Sequence, residues 1–313
     1  MDNEKTMRLD ERIYLIDGYD MGLKHRTGTY VIDEEQLTLV DTGPSPSVPR
    51  ITAGLAEIGH TLDEVKYIIV THVHLDHAGG AGFLLEDCPN ATVVVHEKGA
   101  RHLADPSRLT AGAKMVYGES FDRFFEPVVP IPEERLLIKR EGDELELSPA
   151  CSLKFLDTPG HANHHFSIYD PVSNGMFAGD TVGVRYEQLA KEGVALFLPS
   201  TSPNQFNEQA MHRAIVRFSE MKLDRIYYGH FNQTKEPELA LQQVAEWLDL
   251  FMEEGRKVAA ERGTAELLAG RLEAHIRDYL DEFEIPHDHE VYDIIRLDLN
   301  VGSMGLLEAL NKQ

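Results

Sequence analysis

The sequence predicts a mixed α/β fold in which strands come first and helices last. Three observations predict it. Short β-branched runs bounded by turn residues recur from Arg12 onward. A second block of strand-like segments begins at Glu144. Beyond Glu236 the apolar residues Leu239, Leu241, Val244, Leu248 and Phe251 fall near helical spacing. With 313 residues, the chain is long enough for a buried catalytic centre without disulfide support. The expected organisation is a catalytic domain over residues 1–235 and a helical region over 236–313 packed on it, because no exposed linker separates them.

Taken in order, Arg12 to Asp17, Thr29 to Ile32 and Leu37 to Val40 read as strands, followed by a DTG turn at Asp41 to Gly43. Pro49 to Ile58 reads as a helix. Lys66 to Val70 (KYIIV) is a short apolar run, the pattern of a strand buried on both faces. Small residues in AGGAGFLLEDC suggest a closely packed helix, then Ala91 to His96 a strand and Lys98 to Leu103 a helix. Residues 105–138 fit neither period and are expected to form an insertion over a site. The second block holds Leu145 to Leu147, Ser152 to Leu156, His165 to Tyr169 and Gly175 to Ala178, with turns at Pro159-Gly160 and Asn174-Gly175. A helix over Asn207 to Met221 leads into a strand over Asp224 to Tyr228. The final helices are expected to pack as core, with a pocket wall or a homodimer surface as the alternatives.

The composition restricts the partners. A formal charge of −23, from 30 basic and 53 acidic residues, disfavours nucleic acid and anionic membranes and favours a small-molecule substrate. Cys88 and Cys151 stand too far apart in sequence for a CxxC knuckle or a disulfide framework. The acidic, mixed N-terminus lacks the basic and apolar regions of a secretory signal, and no apolar run approaches the roughly 20 residues that span a bilayer. These features predict a cytoplasmic protein.

The chemistry concentrates in THVHLDHAGG, Thr71 to Gly80, where His72, His74, Asp76 and His77 follow the buried strand directly. Imidazole and carboxylate suit zinc, iron or manganese. Alternation along an extended segment aims His72 and His74 to one side, and the turn into the next helix brings Asp76 and His77 toward an adjacent position, so that two neighbouring metal sites become possible. Three more candidates follow predicted strands: His161 in TPGH, Asp180 in FAGD and His230 in YYGH. A glycine precedes each and allows a tight approach to a crowded centre.

These motifs, in this order and together with LVDTG, resemble the metallo-β-lactamase superfamily, in particular its glyoxalase II-like and lactonase-like hydrolases. The similarity covers roughly Arg12 to His230. It implies a four-layer αββα sandwich carrying two divalent ions, zinc first, with iron or manganese as alternatives. By this resemblance His72, His74 and His161 hold one ion and Asp76, His77 and His230 the other, with Asp180 bridging them. Asp76 fixes the bridging oxygen, Asp41 supports the metal shell, and His165 packs behind it. Hydroxide generated at the metals is the implied nucleophile. The implied substrates are esters, thioesters, lactones or phosphotriesters.

Arg185, Tyr186 and Phe197 are candidate substrate contacts after the bridging aspartate. The Lys-Phe-Tyr type of stretch that glyoxalase II-like enzymes use for glutathione is absent there, and Gly183 stands where lactonase-like relatives carry a tyrosine. The competing reading is an iron-dependent persulfide dioxygenase-like oxidoreductase on the same fold. Nucleic-acid processing conflicts with the charge, and a non-catalytic scaffold conflicts with the full ligand set.

Overall fold

The computed structural model describes residues 6–312. The strands of the first block are β1 (Met7–Arg8), β2 (Ile13–Asp17), β3 (Gly28–Ile32), β4 (Thr38–Val40), β5 (Tyr67–Ile69), β6 (Thr92–His96) and β7 (Leu136–Lys139). Between them run α1 (Val48–Glu57), α2 (Leu75–Ala78), α3 (Ala81–Glu86), α4 (Ala100–Ala104), α5 (Ser107–Tyr117) and α6 (Phe121–Phe125). The second block holds β8 (Glu144–Ser148), β9 (Cys151–Asp157), β10 (Phe166–Asp170), β11 (Gly175–Gly179), β12 (Val184–Arg185) and β13 (Phe197–Leu198). Then come α7 (Glu208–Met221), β14 (Arg225–Tyr228), β15 (Gln233–Thr234), α8 (Pro237–Ala260), α9 (Ala265–Asp281) and α10 (Val291–Asn311). The mixed α/β class, the two blocks of strands and the C-terminal helices are those the sequence predicts.

The described residues form two compact units, the first built from residues 6–157, 164–179 and 224–235. Its seven-stranded sheet runs β1 to β7 in sequence order, antiparallel through β4 and parallel from β4 to β7. Its six-stranded sheet has the order β15-β14-β11-β10-β9-β8. The KYIIV run behaves as a strand buried on both faces should: Ile68 packs with Ile51, Leu55 and Leu84 under the helices, and Ile69 packs toward the second sheet. In β6, Val93 and Val95 take the helix side and Val94 the sheet side, the period of two expected of a strand. Between the sheets lie Leu15, Phe155, Phe166, Phe177 and Tyr227, each worth about 1.5–3 kcal/mol of burial. Phe177 stacks on Tyr227 with ring centroids 4.4 Å apart.

The expected insertion over residues 105–138 needs correction at its end. Leu136–Lys139 is β7, a parallel edge strand on β6, and only the stretch before it lies outside the sheet. That stretch is largely helical. No residue of α5 is buried, so its apolar periodicity is weak, whereas Phe121 and Phe125 of α6 form a small satellite core with Leu75.

The second unit comprises residues 158–163, 180–223 and 236–312. It contains the β12–β13 hairpin and α7 to α10. Asn207 caps α7, its side chain accepting a hydrogen bond from the Ala210 N–H at 2.8 Å. Gln243 of α8 ties the hairpin down, accepting from Phe197 N and donating to the Ala195 carbonyl. Trp247 meets Tyr279 of α9 edge-on. Both cysteines are free and buried, and burial pushes each thiol up to about 12. Among the described residues no helix is long and apolar enough to cross a membrane.

Candidate metal centre

Five of the seven predicted ligands lie in the first unit and two in the second. In the first unit, β5 ends at Ile69, the chain bends at Thr71 and His72, and His74, extended again, leads into α2. The rings of His72 and His74 meet edge-on with centroids 4.6 Å apart, and His72 and His77 lie 4.2 Å apart. The tight turn of α2 carries Asp76 and His77. Asp76 Oδ2 lies 3.8 Å from His77 Nε2 and 3.7 Å from His230 Nε2. The ligand atoms of Asp76, His77 and His230 all fall within 4.8 Å of one another. Two imidazoles and a carboxylate at that spacing fit a divalent ion such as zinc, iron or manganese.

Asp41 organises this cluster from beneath. It is buried, and its carboxylate accepts hydrogen bonds from Thr71 N at 2.7 Å and from Thr71 Oγ1 at 2.9 Å. His77 Nδ1 lies 3.0 Å from the same carboxylate. Because a carboxylate only accepts, the His77 proton is on Nδ1 and the Nε2 lone pair faces Asp76 and His230. Thr71 Oγ1, having given its proton to Asp41, accepts from His72 Nδ1 at 3.1 Å. His72 is thereby fixed in the same tautomer. His165 lies against His72 with ring centroids 5.1 Å apart. Gly179 sits beside it at φ +50°, where a Cβ would meet His165 Nε2 and come within 2.8 Å of Thr71 Oγ1. Only glycine fits there.

The second unit repeats the pattern. His161 Nδ1 donates to the Ser200 carbonyl at 3.0 Å, which leaves Nε2 facing Asp180 Oδ2 at 3.8 Å. Ser200 Oγ donates to that same carboxylate at 3.2 Å, and Ser202 Oγ donates to the His161 carbonyl at 2.9 Å. One loop therefore orients both residues. Gly160, at φ +144°, lies where a Cβ would come within 2.7 Å of Met211 Cα at the start of α7. On the other side, α10 presents Gly302 and Gly305 to Thr201 and Ser202, and Thr201 Oγ1 donates to the Gly302 carbonyl at 2.9 Å.

The structure adds groups that the sequence reading left out. His164 is buried against both His72 and His74, with its ring 5.4 Å from that of His74. It stands three residues after His161 and beside His165, a spacing that by itself does not tell which of these histidines approaches His72 and His74. Asp20 is buried with Arg26, its Oδ2 accepting from Arg26 Nε at 3.1 Å. Burial raises its carboxyl to about 6, with Arg26 opposing the rise and Asp76 adding to it. Lone acidic residues in loops are common, so Asp20 is not separable in the sequence.

The candidate substrate contacts are placed as follows. Arg185 forms an ion pair with Glu187, and the Tyr186 hydroxyl donates to Asp298 Oδ2 of α10 at 3.0 Å. Phe197 is buried and pairs with Arg185 across the β12–β13 hairpin. The remaining histidines mostly carry carboxylate partners. His96 Nε2 lies 3.0 Å from Asp157, His212 lies near Asp249, and His287 near Asp281.

The model of the metallo-beta-lactamase superfamily matches residues 26–230. The metallo-beta-lactamase fold-containing protein ST1585 of Sulfurisphaera tokodaii is 25% identical over 205 residues, which is 64% of this chain and 71% of that protein. Its crystal structure superposes with a TM-score of 0.67, covering 96% of this chain and 99% of that one. A beta-lactamase-like protein 2 homolog of Caenorhabditis elegans is 24% identical over 72% of this chain and 64% of its own length. The crystal structure of family protein TTHA1429 from Thermus thermophilus gives a TM-score of 0.68 at 22% identity, over 97% of this chain and 95% of that one. At these identities the solved structures speak to the fold.

Proposed function

This chain belongs to the metallo-beta-lactamase superfamily, and from that premise we propose that it is a hydrolase that uses two divalent metal ions to cleave an ester, thioester, lactone or phosphotriester of a small molecule. Members of this superfamily are mostly metal-dependent hydrolases. The observation that carries the reading is the convergence of Asp76, His77 and His230, with the His77 tautomer set by Asp41. In this proposal Asp76, His77 and His230 hold one ion, His72, His74 and His161 hold the other, and Asp180 bridges. Zinc is the first choice, with iron or manganese also suited to the donors.

A bound divalent pair lowers the pKa of water toward neutrality and polarises the oxygen of the bond to be cleaved. The protein's part is orientation. Asp41 engages His77 Nδ1 directly and His72 Nδ1 through Thr71, and the Ser200 carbonyl engages His161 Nδ1, so that His72, His77 and His161 present Nε2 without rearrangement. Ser200 Oγ restrains Asp180 in the same way.

Metal content by mass spectrometry, run beside hydrolysis of thioesters, lactones, aryl esters and phosphotriesters with and without chelator, tests the proposal. About two ions per chain and turnover abolished by chelator are expected. Turnover indifferent to chelator would overturn it. One iron per chain with oxygen uptake on a persulfide would replace it with the dioxygenase reading.

A further inference from the structure

His230 stands in the connection of the β14–β15 hairpin, which closes beyond the Tyr227–Gln233 pair. The two residues after it, Phe231 and Asn232, hold left-handed φ values of 67° and 66°. Asparagine tolerates that conformation, but a phenylalanine rarely takes it unless the surroundings impose it. Here the surroundings are visible. The Phe231 ring is buried, lies against the His25 ring with centroids 4.7 Å apart, and passes so close to Gly28 of β3 that a Cβ there would come within 3.1 Å of Phe231 Cδ2.

One hydroxyl joins the two ends of that connection. Tyr30 of β3 is buried, and its Oη lies 2.7 Å from the Tyr228 carbonyl oxygen and 2.6 Å from the Asn232 carbonyl oxygen. Its single proton is shared between the two acceptors, while Tyr228 N donates to the same Asn232 carbonyl at 2.9 Å. The ring that delivers the hydroxyl has little freedom. Phe177 and Tyr227 meet it edge-on, with centroids at 5.3 and 5.5 Å, and stack on each other. Tyr30 pairs with Val40 of β4, the residue directly before Asp41. Adjacent strands thus support two ligands of one trio: Asp41 acts on His77, and Tyr30 on the chain around His230.

We propose that Tyr30 is a positioning residue for the trio of Asp76, His77 and His230: its hydroxyl clamps Tyr228 to Asn232 and, with Phe231 wedged beside Gly28, fixes where the His230 imidazole stands. The inference deepens the two-ion reading and rests on it for the role of His230. Tyr30 acts through the backbone on both sides of His230, whereas Asp41 acts on the His77 ring itself. Deleting the hydroxyl removes a donor from two buried carbonyls and loosens the connection. His72 and His74 stand on another segment, after β5, so the ion assigned to them and His161 serves as the internal reference.

Tyr30→Phe removes the hydroxyl and keeps the ring. Two readouts are taken, with Ile51→Val, a core change on the helix side of the first sheet, as the control for plain destabilisation. In the metal-free protein, amide hydrogen exchange over residues 228–234, relative to β6, is expected to quicken about tenfold in Tyr30→Phe and to keep the wild-type ratio in Ile51→Val. In a cobalt titration followed by absorption, one of two binding steps weakens about tenfold in Tyr30→Phe and neither does in Ile51→Val. Phe231→Leu, which keeps the clamp and shortens the wedge, gives the same one-step weakening and decides alone if Tyr30→Phe does not fold. Unchanged exchange, unchanged cobalt binding, both steps weakened alike, or the same losses in Ile51→Val overturn the inference. Wild-type protein that takes up cobalt in one step or not at all removes the two-ion reading instead, and the exchange contrast then decides the clamp.

Discussion

Replacing Asp41 with asparagine exchanges one oxygen for an NH2 group and inverts a chain of protons. Asp41 Oδ2 accepts from Thr71 Oγ1 and from His77 Nδ1, while Oδ1 accepts from Thr71 N. An asparagine with its carbonyl kept toward Thr71 N puts an NH2 group where Oδ2 stood. That NH2 donates to Thr71 Oγ1, whose own proton then turns to His72 Nδ1, and His77 Nδ1 must also become an acceptor. Both rings shift to the Nε2–H tautomer, which removes the lone pairs that face a metal. Turning the amide over sets its NH2 against the Thr71 N–H, a buried donor facing a donor, at about 1–3 kcal/mol.

Two magnitudes follow. Losing the outer partner of a metal-binding histidine weakens metal affinity by about 10–100-fold, or about 1.4–2.7 kcal/mol. Exchanging charge-assisted hydrogen bonds for neutral ones costs the metal-free protein about 1–2 kcal/mol. Asparagine tolerates the left-handed conformation that Asp41 adopts at φ 56°, so the backbone adds little. The assay is zinc competition against a chromophoric chelator, with urea unfolding of the metal-free protein alongside. Asp41→Asn that binds zinc as tightly as the wild type, in a folded protein, refutes the tautomer argument.

Gly305→Ala should act at a distance within the second unit. A Cβ there would approach the Thr201 carbonyl and come within 2.6 Å of the Ser202 carbonyl oxygen, so the loop holding His161 and Asp180 must move. A loss of about 1–3 kcal/mol in unfolding free energy, with weaker zinc binding, is expected; unchanged affinity in a destabilised protein would limit Gly305 to packing. His96 supplies a pH effect. Burial pushes its pKa below the usual value, with Asp157 opposing, and Lys98 N donates to Nδ1 while Nε2 faces Asp157, the pattern of a neutral ring. The unfolded chain takes up the proton first as pH falls through about 6.5, so this contribution is complete above that pH and is lost below it. Urea midpoints from pH 7.5 to 5.5 should fall less steeply in His96→Gln, and a His96 ring titrating at or above 6.5 contradicts the assignment.

The strands and the ligands are legible in the sequence because both signals are local. Burial on both faces writes itself into KYIIV, and His72, His74, Asp76 and His77 are nearly contiguous, so spacing alone suggests a metal. The failures share a cause. Leu136–Lys139 reads as insertion because an edge strand is half exposed and loses its alternation, and α5 because none of its residues is buried. Asp20 carries no local pattern, and for His164 the neighbouring His161 and His165 do not tell which ring faces the cluster.

What the amino-acid sequence determined by itself is therefore the fold class, the order of elements and the donor atoms available for a metal. Only the tertiary structure decided which nitrogen of each histidine is offered. The partners that fix those tautomers come from elsewhere in the chain: Asp41 for His77, from 36 residues away, and the Ser200 carbonyl for His161, from 39 residues away. Hydrogen-bond direction is a property of groups brought together by folding, and a linear spacing does not encode it.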